Sequence, residues 1–378
     1  MNILIGADIV PTKSNIEFFE SGNVSELLDT NLQVLMNNAE YRILNLEVPL
    51  TDTITPIQKC GPNLIASTKS VNGLKNMKID LLTLANNHIL DQGEQGLEST
   101  LNILNKNEIG FSGAGVNLEK AARPHVFEIS NKKIGVYCCA EHEFSIATSY
   151  SAGANPFDPL ESLDHISELK KGCDYVIVLY HGGKEQYRYP SPLLQKTCRK
   201  IIDKGADLVI CQHTHCIGCE EKWDKGTIVY GQGNFLFDNS DNEFWSTSLL
   251  IKITDDFNIE YIPLMKDKEK VRLANIDEKK DIMAAFKNRS IQIKDSDFLI
   301  KEYEKFSEIM IKNYMLTFSM MNARNVFVRL FNKITGHKFL DIRIKKYYKK
   351  KRYVIRNFVE CEAHRELLLE GLEKKSHE

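Results

Sequence analysis

Six short apolar runs punctuate the first two thirds of the chain, and each closes on polar residues. Ile3-Leu4-Ile5 leads to Asp8, Ile43-Leu44-Asn45-Leu46 to Glu47, and Leu81 to Leu84 leads to Asn86, Asn87 and His88. Tyr175 to Tyr180 leads to His181, Leu208-Val209-Ile210 to Gln212, His213 and His215, and Ile228-Val229-Tyr230 to Gly231, Gly233 and Asn234. Short runs rich in β-branched residues and bounded by breakers predict strands buried on both faces. Between them, stretches 24–39, 97–104 and 193–202 predict helices; in the first, Val24, Leu27, Leu28 and Leu32 fall at helical spacing. Strand–helix alternation predicts an α/β fold, either a sheet sandwich or a doubly wound sheet. Ligands in such sheets gather at the carboxyl ends of strands, where the polar residues fall here.

After about Lys266 the texture changes: glycines thin out and helical patterns take over, through 298–321, 323–334 and 353–372. This predicts one domain over 1–266 and a helical extension over 267–378. Within the extension, Arg343 to Arg352 holds seven basic residues with Tyr347 and Tyr348. A solvated helical face is the ordinary reading of such a run. An anionic membrane surface is the next, with Ile344, Tyr347, Tyr348 and Ile355 at the interface. An anionic polymer or a biosynthetic partner is the third. No reader motif accompanies the charge, so nucleic acid is not expected.

Overall charge sharpens the picture only by exclusion. The formal net charge is −2 over 378 residues, with 43% hydrophobic and 26% charged residues, so the whole molecule is not committed to a polyanion. The segment Met1 to Val10 lacks a basic start, and no run of 18 apolar residues occurs. The nine cysteines have no disulfide-like framework, which favours a reducing, cytoplasmic setting, peripheral at the inner membrane face if the basic segment binds lipid. Cys216 and Cys219 have C-x-x-C spacing but no second such pair, and read as buried or loop thiols.

Taken together, the strand ends offer Asp8, Glu47, Asn87, His88, His181, His213 and His215. These are oxygen and imidazole ligands suited to divalent Mn, Fe or Zn. One carboxylate can bridge two cations about 3.5–4 Å apart, which would polarise a phosphoryl oxygen and generate hydroxide near neutral pH. A nearby histidine outside the ligand set could protonate the leaving oxygen. Each piece has an ordinary reading: a turn for His-x-His (whose side chains share a face if the backbone is extended), a cap for Asn87-His88, an ion pair for Glu47. Their recurrence at equivalent strand ends favours a one- or two-cation site.

Further motifs are Ala85-Asn86-Asn87-His88 with Asp91 and Gly93, Gly113-Ala114-Gly115, His181-Gly182-Gly183-Lys184-Glu185-Gln186-Tyr187, Gln212-His213-Thr214-His215, and Gly233-Asn234-Phe235 with Phe237 and Asp238. With Asn45-Leu46-Glu47, their order resembles the CapA family, the capsule or poly-γ-glutamate synthesis branch of the calcineurin-like metallophosphoesterases. The resemblance runs from about residue 1 to 265. It implies a four-layer α/β/β/α sandwich and a metal-dependent hydrolase, of phosphoesters, in capsule, exopolysaccharide or envelope polymer metabolism. The alternatives are action on an amide of such a polymer, or a non-enzymatic role in its synthesis. By motif, Asp8 and His215 look like first-metal ligands, Glu47 like the bridge, and Asn87, His181 and His213 like second-metal ligands. His88 is similar to the superfamily's proton donor, with Asp91 and Glu185 beside it or facing an anionic phosphoester or polymer substrate. The chain departs from the pattern where Ala7 stands for glycine, Val10 for a metal-ligating histidine and Gly182 for an aromatic residue, and where Cys211-Gln212-His213-Thr214-His215 stands for Gly-His-His-Pro-His.

Overall fold

Neighbouring residues of the strand Ile3–Ile9 look into two different cores. Ile3 and Ile5 pack with Ile134, Ile177 and Leu208, whereas Leu4 packs with Leu32, Leu82 and Leu104. The strand Tyr175–His181 divides in the same way: Ile177 and Leu179 join the first of these cores, and Val176, Val178 and Tyr180 meet Ile166, Cys198 and Ile201 on the other side. Side chains alternate along a strand, so two sheets must face each other across the shared core while helices cover both outer faces. The order is helix, sheet, sheet, helix, the four-layer sandwich that the motifs imply.

These features belong to a computed structural model that describes residues 1–237, 242–318, 326–336 and 338–373. One sheet runs Lys270–Leu273, Ile259–Asp267, Thr247–Ile253, Ile3–Ile9, Tyr41–Leu46, Leu81–Thr83, Gly110–Ser112, with Asn234–Leu236 also paired to Ile3–Ile9. The other runs Glu220–Trp223, Gly226–Tyr230, Leu208–Gln212, Tyr175–His181, Lys132–Ala140, His125–Ile129. The central strands of each sheet are parallel, so their carboxyl ends fall on one edge. Register fixes neighbours there: Asp8 lies opposite Asn45 and Asn234, and His181 opposite Gln212 and Ala140.

The crossover helices start where capping chemistry allows. Ser191 accepts from Leu194 N–H ahead of Pro192, the favoured arrangement for a helix start. Asp29 does the same for Thr30–Asn38. That cap corrects the single helix expected over 24–39: Val24–Glu26 forms a separate 3-10 turn, and the α-helix begins only after Asp29.

Two compact units divide the chain, Met1–Leu299 and Ile300–Glu378. The first helix after the change of texture, Ile276–Gln292, stays with the first unit because Phe286 is buried against Ile217 and Leu249. In the second unit the helices are Val326–Ile334, Lys338–Glu360 and Glu362–Glu373, with the end of Ser296–Phe318. The basic segment lies inside Lys338–Glu360, and the helix expected over 353–372 is interrupted at Cys361. The expected ends at Met321 and Ala323 lie outside the described residues. No described helix is long and apolar enough to cross a membrane.

Candidate metal centre

Strand ends from both sheets deliver the predicted ligands to one spot. Asp8 lies at a register irregularity near the end of the first strand, Glu47 follows Tyr41–Leu46, and His181 closes Tyr175–His181. Asp8, Glu47, His181, His213 and His215 are all buried. Ligand atoms of Glu47, His181 and His213 lie within 4.8 Å of one another, and so do those of Asp8, Glu47 and His215. Glu47 is common to both groups. Asn87 joins the first group, its Oδ1 lying 3.1 Å from His181 Nε2.

The hydrogen-bonding pattern of this cluster is incomplete in a specific way. Both carboxylate oxygens of Glu47 and Oδ2 of Asp8 are buried without a hydrogen-bond partner, although burying an unpaired carboxylate is costly. His181 Nε2 lies 3.3 Å from Glu47 Oε1 and 3.1 Å from His213 Nδ1. Oxygen and imidazole lone pairs thus converge with few protons between them. This donor set fits one or two divalent cations. Burial, reinforced by His181 and His215, pushes His213 well below the usual histidine range, so it is neutral, the form that ligates metal. Burial also disfavours charge on His215, but Glu47, Asp8 and Asn234 outweigh it and raise His215 to about 9.

His213 and His215 reach the cluster differently from an extended pair. Their φ values are 82° and 53°, in the left-handed region, which side-chain-bearing residues occupy at a cost of about 1–3 kcal/mol. The loop after Leu208–Gln212 therefore coils, and its coiling turns each ring inward. Asn234 Oδ1 accepts from His215 Nδ1–H at 2.8 Å. Val10, where the resemblance implies a histidine, is buried in the apolar core and offers no ligand atom. Asp8, Glu47 and His215 form the second group without it.

Around the cluster, several residues invisible to motif reading complete the arrangement. Asn45 donates to Asp8 Oδ1 at 2.7 Å, and Asn86 donates to Asn45 Oδ1 at 3.1 Å. Asn87 Nδ2 donates to Glu143 Oε2 at 2.8 Å. His88 Nδ1 lies 2.6 Å from Asp91 Oδ2 and 3.2 Å from Lys59 Nζ, and Lys59 forms an ion pair with Asp91 whose two side chains are buried. Asp91 therefore braces the His88 ring. Glu185 is exposed and, among the described residues, makes no polar contact with the buried groups; Asp238 lies outside the described residues. At Gly182, an added Cβ would sit 2.5 Å from Tyr180 Cε1 and 2.6 Å from Glu141 Cδ. Glu141 and Tyr180 occupy the space a larger residue would need. Burial pushes the Glu141 carboxyl up despite a hydrogen bond to Gly183 and the nearby His181.

Cys216 and Cys219 are free and buried, and burial raises both thiols, Cys216 to about 11. Protonated thiols of this kind are inert core groups.

Residues 3–239 match the family described as Bacterial capsule synthesis protein PGA_cap. The chain belongs to this family. It is 33% identical over 183 residues to the PGA biosynthesis protein CapA of Bacillus subtilis (strain 168), covering 47% of this chain and 47% of that protein. It is 28% identical over 212 residues to the Capsule biosynthesis protein CapA of Bacillus anthracis, covering 54% and 52%. The chain spans about half the length of the curated relatives it matches. A solved structure of a phosphatase from Mycoplasma pneumoniae is loosely similar, with 17% identity, TM-score 0.44, and coverage of 71% of this chain and 94% of its own. The residues of both candidate cation groups fall inside the PGA_cap match.

Proposed function

We propose that this member of the capsule synthesis family is a metal-dependent hydrolase of phosphoesters in capsule, exopolysaccharide or envelope polymer metabolism. The observation that carries the reading is Glu47: both its oxygens are buried and unpartnered, and it belongs to two separate ligand groups. In this reading Asp8, Glu47 and His215 would hold one divalent cation, and Glu47, Asn87, His181 and His213 a second. Bound there, such cations supply charge for a phosphoryl oxygen and a hydroxide near neutral pH.

The chain's own groups do the rest. His88 carries a proton to the leaving oxygen, its ring held at Nδ1 by Asp91 and flanked by Lys59. Glu143 holds the Asn87 amide with its nitrogen turned away from His181. Burial of the cluster keeps competing water from these polar groups and strengthens their interactions.

The test is cation content together with hydrolysis of an aryl phosphate and an aryl phosphodiester in Mn²⁺. Wild type is expected to hold cation and turn over one of them. His88→Ala should keep the cation and lose about 10²–10⁴-fold in kcat, and Asn87→Ala should lose both. The names of the PGA-biosynthesis relatives favour a second reading, hydrolysis of an amide in a γ-glutamyl or peptidic polymer. Cation bound without phosphoester turnover would move the assignment there. A chain that binds no cation would be a non-enzymatic component of polymer synthesis.

A further inference from the structure

The helix Val326–Ile334, with sequence VFVRLFNKI, carries four apolar residues on the outside. Val326, Leu330, Phe331 and Ile334 are 74%, 51%, 55% and 70% exposed. Spacing of four residues puts Val326, Leu330 and Ile334 on one face, with Arg329 and Lys333 flanking it. A helix in a globular protein buries such a stripe, and a contiguous exposed one marks an interaction surface.

Following it in the chain, the helix Lys338–Glu360 has nine lysines and arginines against two acidic residues, Asp341 and Glu360. Lys345, Lys346, Lys349, Lys350 and Lys351 are exposed and make no ion pair among the described residues. The Arg352 guanidinium lies over the rings of Tyr348 and Tyr353, at 5.6 and 4.6 Å, and has no carboxylate partner among them either. Ile342 and Tyr353 are exposed and fall on the same side of this helix as Lys346 and Lys349 at 100° per residue. Apolar and basic groups are thus interleaved on one outer surface.

We propose that this C-terminal helical unit docks on an anionic lipid bilayer. The Val326–Ile334 stripe enters the interfacial layer, and the lysines of Lys338–Glu360 meet the headgroup phosphates. A polyanion such as RNA would satisfy the lysines and leave the stripe in water. A bilayer surface satisfies both, because its acyl boundary takes the apolar residues and its anionic headgroups take the cations. Tyrosines at this level suit the same boundary, being apolar in the ring and polar at the tip.

The experiment is co-sedimentation of the full chain with vesicles of phosphatidylcholine alone and of phosphatidylcholine with phosphatidylglycerol, at low and high salt. Wild type is expected to sediment with the anionic vesicles, to stay in solution with the neutral ones, and to be released by salt. The quadruple change Lys349→Glu, Lys350→Glu, Lys351→Glu, Arg352→Glu should weaken binding at least about a hundredfold. Leu330→Ser with Ile334→Ser should weaken it about tenfold. Both variants should keep wild-type circular dichroism and cation content, so this result is independent of whether the strand-end cluster is a hydrolase site. No sedimentation of wild type at low salt overturns the proposal. So does equal binding to neutral vesicles, or full binding by the charge-reversed variant. A wild-type dimer that Leu330→Ser with Ile334→Ser converts to monomer, without vesicle binding, would make the stripe a contact between copies of this chain and overturn it as well.

Discussion

Asn87 has two chemically different ends, an amide nitrogen and an amide oxygen, and Glu143 selects which one meets the cluster. An ionised carboxylate can only accept, and the amide's only donor is its nitrogen, so Nδ2 turns to Glu143 and Oδ1 to His181. Removing an orienting partner of this kind typically costs 10–100-fold in metal affinity. Glu143→Ala is therefore expected to weaken Mn²⁺ binding by about that factor in calorimetric titration, with little change in Tm, since Glu143 is exposed. Unchanged affinity would remove Glu143 from the site. Gly182→Ala tests the crowding beside His181. Its methyl group must displace Tyr180 or Glu141, an overpacking that costs about 1–3 kcal/mol and should appear as a lower denaturation midpoint. At this scale the sequence exposed the residues of the cluster, because each follows an apolar run that ends abruptly. It did not expose Lys59 or Glu143. Lys59 sits in the long connection after Glu47, and nothing in that stretch ties it to His88 until the chain is folded. Glu143 follows Lys132–Ala140, a strand whose paired lysines and internal Gly135 hide it among the six clearer runs.

Elements hold by ordinary means that the pattern reveals unevenly. The parallel central strands were legible because burial on both faces leaves continuous apolar runs. The antiparallel strands were not: Ile259–Asp267 is largely half-buried or exposed, and Ser248 and Lys252 interrupt the apolar run of Thr247–Ile253. Ile177→Ala, in the layer between the sheets, should cost about 2–5 kcal/mol by chemical denaturation. The helix Ile276–Gln292 begins with a capping box, Asn275 accepting from Glu278 N–H while Glu278 accepts from Asn275 N–H. Arg272 also grips Glu278 at 2.7 Å through two nitrogens, and these bonds hold its carboxyl down to about 2 from the usual 4.5. A carboxyl lowered in the folded state stabilises above its unfolded pKa and loses that contribution as pH falls through the folded one. Glu278→Gln should therefore lower Tm at pH 7, and the gap to wild type should narrow as the pH drops below about 4.5 towards 2. A gap independent of pH would show that only the neutral hydrogen bonds matter.

For the molecule as a whole, the strand-end cluster is a concentration of buried charge that the surrounding apolar layers do not offset. A ligand that binds only the folded state stabilises it by about 2.7 kcal/mol when present at a hundred times its Kd. Chelation is expected to lower Tm by several degrees, and Mn²⁺ to restore it; a Tm indifferent to both would exclude a cation from the folded chain. Both candidate cation groups draw on the one carboxylate of Glu47, which would couple their occupancies. An ion held in either group would fix the side chain its neighbour needs and withdraw part of the negative charge it would use. Stepwise titration should then give two unequal constants instead of two copies of one. His213→Ala and His215→Ala would each leave a half-loaded protein, whereas no change at residue 47 could separate the two.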